Sequence, residues 1–122
     1  QHTPDDVSLL FDPGHLFLAG VGINELLNDF SSRISHIHLK DVRYSVFKKS
    51  MDHNYSFLEA VKEGIFTVPG DGCINFSNIM DWLRTGDYSG WVVIEAEQDP
   101  ENRNPLKYAK LGREFLREEL EL

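Results

Sequence analysis

His36, His38 and Lys40 alternate with Ser35, Ile37 and Leu39 in the stretch SHIHLKD at 35–41. Strand side chains point to alternate faces, so two imidazoles and an ammonium would share one face while Ile37 and Leu39 line the other. Carboxylates fall at comparable points elsewhere. Asp12 closes the apolar run VSLLFD, with His15 three residues on, and Glu95 and Glu97 close the run GWVVIEAE. Imidazole nitrogens and carboxylate oxygens together are ligands for a divalent cation. Such a mixed set suits Mn²⁺, Co²⁺, Fe²⁺ or Zn²⁺ better than Ca²⁺, and the acidic share suits an octahedral site with positions open to a substrate's oxygens.

Each of these residues also has a plainer reading. Asp12 ahead of Pro13 and Gly14 is a natural turn residue. A lone histidine is more often a hydrogen-bonded core residue than a ligand, but two in register beside Lys40 favour a site. Glu95 follows Trp91, Val92, Val93 and Ile94, and a carboxylate at the end of so apolar a run is costly unless paired or ligating. Arg43 reads either as a solvated loop residue or as part of a site. Cys73 reads as a small buried residue, since no basic partner lies near it in sequence.

The elements that must position these groups follow from periodicity. VSLLFD at 7–12 reads as a short buried strand, broken by PGH. Ile23, Leu26, Leu27 and Phe30 recur at helical spacing and predict a helix from about 22 to 33. SHIHLKDV is the second strand. Residues 43–54 read as a polar, irregular loop, placed to act as a lid. Phe57, Ala60 and Val61 predict a helix stopped by Gly64. IFTVPG is the third strand, running into a Gly/Pro turn. Asn75 would cap a helix with Phe76, Ile79, Met80 and Leu83 on its apolar face. GWVVIEAE is the fourth strand, and Asn104 with Pro105 opens a long terminal helix, of which the charged REFLREEL forms the outer face. Apolar strands alternating with amphipathic helices predict an α/β fold with a parallel sheet covered by helices. In such folds, sites are built at the C-terminal strand ends, where the polar residues fall.

The totals set bounds. The chain of 122 residues is one domain's worth. With 12 basic and 20 acidic residues it has a formal charge of -8, which argues against nucleic acid as a partner. No apolar run approaches the ~20 residues needed to cross a bilayer, so no membrane partner is expected. A single cysteine excludes an internal disulfide and suggests a reducing, cytoplasmic setting. The chain opens on Gln1 rather than Met, which suggests a processed or truncated product.

Taken together, FDPGH, HIHLKDVR, FTVPGDG, GWVVIEAEQDP and NPLKYAKLG resemble the inosose dehydratases, a family of the xylose isomerase-like TIM-barrel superfamily. The resemblance runs from about residue 7 to 116. FTVPGDG and EAEQDP are its most specific pieces, whereas the D-x-x-H and H-x-H pieces are shared across the superfamily. Two departures are mild: Pro13 stands where the family often has Thr, and Asn75 where Asp is frequent. The larger departure is length, because a TIM barrel takes about 250 residues and eight strands. The resemblance therefore implies a half barrel of four parallel strands, strands five to eight, over residues 1–122 as a single domain.

The same resemblance implies a site. Asp12, His38 and Glu95 match three metal ligands, and the fourth, a glutamate, belongs to the half not matched. The metal would be Mn²⁺ or Co²⁺ first, with Zn²⁺ or Mg²⁺ as alternatives. His15, Lys40 and Glu95 take catalytic positions, and His36 and Arg43 would bind substrate hydroxyls. The implied reaction is dehydration of 2-keto-myo-inositol (scyllo-inosose) to a cyclic trihydroxy-dione, and the expected partner is a cyclic polyol or keto-sugar. Two alternatives stay open: a sugar isomerase or 3-epimerase of the same superfamily, and an inert half barrel that self-associates through its exposed edges.

Overall fold

Three parallel strands form the centre of the structure, a computed structural model that describes residues 3–120 apart from 5 and 87. They are β1 (Leu9–Phe11), β2 (Ile34–Leu39) and β5 (Val92–Ile94), in the order β1-β2-β5. The register sets Phe11 beside Ile37, and Leu39 beside Ile94. β2 and β5 therefore end level with each other and β1 two residues sooner, which sets the residue after β1, Asp12, near His38.

Helices cover the sheet for reasons visible in the sequence. After β1 come α1 (Pro13–Leu18) and α2 (Ile23–Phe30), the latter followed by a short 3₁₀ turn. Leu27 of α2 joins Phe11, Ile37 and Leu39 in the main core. After β2 the chain forms β3 (Asp41–Val42), α3 (Tyr44–Asp52), α4 (Phe57–Glu63) and β4 (Phe66–Thr67). Ser56 and Glu59 cap α4 reciprocally, and Gly64 ends it with φ of 85°, a left-handed conformation that suits glycine. Then come α5 (Ser77–Thr85), which buries Ile79 and Met80, and, after β5, α6 (Pro105–Leu120). Asn104 accepts from the Lys107 N–H at 3.1 Å, and Pro105 takes the first helical position. A Cβ on Gly112 of α6 would lie 2.6 Å from Ile94 Cγ2, so only glycine lets this helix approach β5 so closely.

Three expectations are corrected. The third predicted strand does not join the parallel sheet: β4 pairs antiparallel with β3, and β2 pairs directly with β5. The parallel sheet therefore has three strands, not four. Only two residues of IFTVPG are extended. Pro69 has no N–H for a ladder, and the backbone beyond it is turned toward Asp41. Residues 43–54 are not irregular, since most of them form α3. Its short apolar stripe, Val46 and Phe47, packs on a second core around Val42, Ala60, Ile65 and Phe66, with Phe47 edge-on to Phe17 at 5.4 Å. Cys73 is exposed rather than buried, because it rides the outside of the turn that closes over Asp41.

That turn is organised by one carboxylate. Asp41 is fully buried and accepts from four backbone N–H groups: Val42 at 2.7 Å, Ile74 at 2.9 Å, Gly72 at 3.0 Å and Gly70 at 3.2 Å. A side chain on Gly72 would collide with the Asp41 carboxylate and the Val42 carbonyl. The glycines of VPGDG are thus what allow the loop to wrap around an anion. Burial pushes the Asp41 carboxyl above its usual range, and the four amides oppose that shift without cancelling it.

Removing this acceptor strands buried donors. Asp41→Ala should lower the unfolding free energy by about 3 kcal/mol, read from urea midpoints. A loss under about 1 kcal/mol would mean that the loop holds its shape without the carboxylate.

Candidate metal centre

The strand ends deliver the site. Asp12 follows β1 and caps α1: its Oδ1 accepts from the His15 N–H at 3.1 Å. That leaves Oδ2 for the site. His38 stands half-buried on β2, and Glu95 follows β5, its N–H bonded to the Leu39 carbonyl at 3.1 Å. One ligand atom from each of Asp12, His38 and Glu95 falls in a group within 4.8 Å of one another.

The geometry of this trio is one that could hold a metal ion. Glu95 Oε2 is buried and makes no hydrogen bond of acceptable geometry, although His38 Nδ1 lies 2.6 Å away. A buried carboxylate oxygen without a proper donor is unfavourable. An imidazole nitrogen and carboxylate oxygens aimed at common ground fit a divalent cation of the borderline or hard type.

Lys40 lies at the centre of the polar cluster. It is 1% exposed, and its stem passes over Gly14, where a Cβ would come within 2.8 Å of Lys40 Cγ. This explains the glycine of DPGH. Its Nζ lies 2.7 Å from Glu97 Oε2, 3.0 Å from His15 Nε2, and 3.4 Å from both Asp12 Oδ2 and Glu95 Oε2. It also lies over the Phe66 ring at 4.7 Å. Burial alone would lower the lysine's pKa. The hydrogen bond to Glu97 and the charges of Asp12, Glu95 and Glu97 outweigh that and hold it above the usual value. The group is therefore an ammonium at neutral pH. An ammonium only donates, so His15 Nε2 is the acceptor in their contact.

His15 is fixed by aromatics as well, edge-on to Phe66 at 5.0 Å and stacked on Phe57 at 6.1 Å. His36 packs edge-on to His38 at 5.1 Å, one rung further from the strand end. Asp12, His15, His38, Lys40 and Glu95 thus converge as a set, with His36 behind them.

Arg43 is placed differently. It donates to the carbonyls of Gly64 at 2.9 Å and Phe66 at 2.8 Å, to Thr67 Oγ1 at 2.7 Å and to Asp71 at 2.9 Å. Its guanidinium also lies over Tyr108, 5.4 Å from the ring centroid. These contacts bind β4 and the Asp71 turn to the start of α3.

Two residues at the site carry no role in the sequence reading. Glu97 pairs with Lys40, and Phe57 backs His15. The alternation of Glu95-Ala96-Glu97 is a signal that both glutamates share a face. Nothing in the sequence marks Phe57, an exposed aromatic that reads there as part of a helix stripe.

Comparison with known proteins agrees with this architecture. Residues 1–119 match the family described as Xylose isomerase-like TIM barrel, and the chain belongs to that family. Within it, the chain is similar to proteins named inosose dehydratase. It is 50% identical over 118 residues to that of Geobacillus thermodenitrificans, covering 97% of this chain and 40% of the relative. It is 46% identical over 117 residues to that of Halalkalibacterium halodurans, covering 96% and 39%. It is 50% identical over 119 residues to that of Histophilus somni, covering 95% and 40%. The chain thus spans about 40% of the length of the relatives it matches.

The contacts of Arg43 predict a structural effect that needs no substrate. Arg43→Met should destabilise the fold by about 2 kcal/mol and speed amide exchange in residues 70–74, measured by hydrogen exchange with mass spectrometry. Unchanged exchange there would free Arg43 for a role toward ligand.

Proposed function

We propose that this chain provides part of a metal-dependent dehydratase site acting on 2-keto-myo-inositol, within a (β/α) barrel of which residues 1–122 form the C-terminal part with three of the parallel strands. The observation that carries the reading is the convergence of Asp12, His38 and Glu95 with an unsatisfied Glu95 oxygen, on a chain about half identical to inosose dehydratases. Mn²⁺ or Co²⁺ is the favoured ion, on the donor set. A reducing, cytoplasmic setting is part of this reading and rests on the lone cysteine.

Loss of water next to a ketone needs a proton removed from the α-carbon, negative charge held on the ketone oxygen, and a proton given to the departing β-hydroxyl. A cation held by Asp12, His38 and Glu95 would supply Lewis-acid polarisation of the ketone. The chain's own groups do the rest. The Lys40 ammonium is a fixed positive charge beside the ligand atoms and stabilises the enolate oxygen. Glu95, a ligand whose carboxylate borders the space for the ring, is the base this chain offers for the α-proton, the glutamate of the unmatched half being the other. His15, whose Nε2 accepts from the Lys40 ammonium, is placed as a relay: it takes a proton from Lys40 at Nε2 and gives one up to the leaving hydroxyl from Nδ1. His36 borders the site from the side of His38 and binds a ring hydroxyl.

Both outer strands of the sheet, β1 and β5, are edges among the described residues. Leu10 on β1 is 52% exposed and Trp91 beside β5 is 78% exposed. Apolar residues at open edges invite another chain, so the isolated chain self-associates.

Dialysis against Mn²⁺ followed by elemental mass spectrometry should find about one ion per chain or per two chains. Asp12→Ala, His38→Ala and Glu95→Ala should each weaken binding at least about tenfold. The corresponding changes in a relative of full barrel length should abolish release of water from inosose. Full activity there would exclude the reading, and turnover of keto-sugars instead of inosose would favour an isomerase. Sedimentation equilibrium should show dimers or larger species, and Leu10→Lys with Trp91→Lys should return the chain to monomer.

A further inference from the structure

We infer that Glu97 is a positioning residue for the metal centre: it holds the buried Lys40 ammonium and so keeps it off Asp12 and Glu95, the two carboxylates that a cation needs. The inference rests on the metal reading above and adds to it a residue that ligates nothing.

The distances carry the argument. Lys40 Nζ is at direct hydrogen-bond length from Glu97 Oε2, 2.7 Å, but stands 3.4 Å from both Asp12 Oδ2 and Glu95 Oε2. The ammonium is 1% exposed, so water cannot take the place of a lost partner. Without the Glu97 charge, its nearest anionic acceptors are the two proposed ligand oxygens. Asp12 cannot answer with its other oxygen, because Oδ1 is engaged by the His15 N–H at 3.1 Å. A lysine bonded to Oδ2 and to Glu95 would compete with a cation for the same atoms.

The backbone shows that Glu97 is placed at some cost. Its φ is 45°, in the left-handed region that side-chain-bearing residues seldom adopt. Strain of this kind persists where surrounding contacts enforce it, and it collects at functional sites. Here the contacts are the Lys40 pair on one side and the next residue on the other, since Gln98 Nε2 donates to the Phe66 carbonyl at 3.1 Å. The turn of the chain after β5 thus brings Glu97 to hydrogen-bond distance of the ammonium. His15 Nε2 lies 3.6 Å from the same Glu97 oxygen.

Charge counting agrees. Within this chain, Asp12, Glu95 and Glu97 against Lys40 leave two negative charges to meet a cation, before the glutamate of the unmatched half is added. Loss of the Glu97 charge leaves only one.

The test is a double-mutant cycle on this chain, with Mn²⁺ alone as the probe and calorimetric titration as the readout. Glu97→Gln should weaken Mn²⁺ binding about a hundredfold, the order expected for one charge a few ångströms away at the effective dielectric of a partly buried site. Lys40→Met combined with Glu97→Gln should restore affinity to within about threefold of the unmodified chain, since the competitor is gone. Glu97→Asp keeps the charge and tolerates the left-handed backbone better, so it should retain affinity to within about threefold and serves where Glu97→Gln does not fold. Unchanged affinity in Glu97→Gln, or a loss that Lys40→Met fails to rescue, overturns the inference while leaving the metal reading intact. Failure of the unmodified chain to bind Mn²⁺ removes both.

Discussion

One buried ammonium sets the terms for the rest of this molecule. Lys40 is almost without solvent, and a charge in that position is tolerable only if the surrounding groups replace its water. Glu97, His15, Asp12, Glu95 and the face of Phe66 do so. Each arrives from a different part of the chain: the end of β1, the first turn of α1, β4, and the end of β5 with the turn beyond it. Satisfying one lysine therefore aligns the strand ends. Gly14 has no side chain because the lysine stem occupies that space. The site follows from the solvation of a cation as much as from the packing of a sheet.

The residue after Lys40 does the complementary work. Strand alternation sends Asp41 to the opposite side, where it gathers four backbone amides from its own strand and from residues 70–74. Two residues further on, Arg43 clamps the carbonyls of Gly64 and Phe66. The stretch HIHLKDVR thus alternates between equipping the site and tying down the next segment. This accounts for β4. Its polar backbone groups are already engaged by β3 and Arg43, so it pairs antiparallel there rather than inserting between β2 and β5.

What was legible in the sequence was whatever depends on local period or on a cap. The strand ending at Asp12, the imidazole face of β2, the helix stopped by Gly64, the helix opened by Asn104 and Pro105, and the apolar strand before Glu95 all declare themselves through alternation, helical spacing or punctuation. The convergence of Asp12, His38 and Glu95 was visible only through resemblance, since they lie far apart in the chain and the geometry linking them is tertiary. The misread features share a cause. Residues 44–52 carry a short apolar stripe that becomes a helix only against the second core. IFTVPG looked like a central strand because its burial is real, although its pairing is not parallel. Cys73 is small and apolar by type, but its exposure is decided by the loop that Asp41 folds inward. Arg43 is not among the misreadings: the structure adds the carbonyls it holds to the substrate role that the resemblance implies.

The distinction between Glu95 and Glu97 shows why composition alone cannot assign a site. They have the same side chain, two residues apart, on what the sequence presents as one face. After β5 the backbone passes through a left-handed residue at Glu97, and the two carboxylates part company. One retains a buried oxygen with no proper donor and stands beside an imidazole. The other closes on an ammonium at 2.7 Å. In a cluster where cation and anions are all within a few ångströms, the internal cation hydrogen-bonds one carboxylate and stands 3.4 Å from the other two. The sequence supplies three acidic groups at these strand ends, and the position of Lys40 sets Glu97 apart from Asp12 and Glu95.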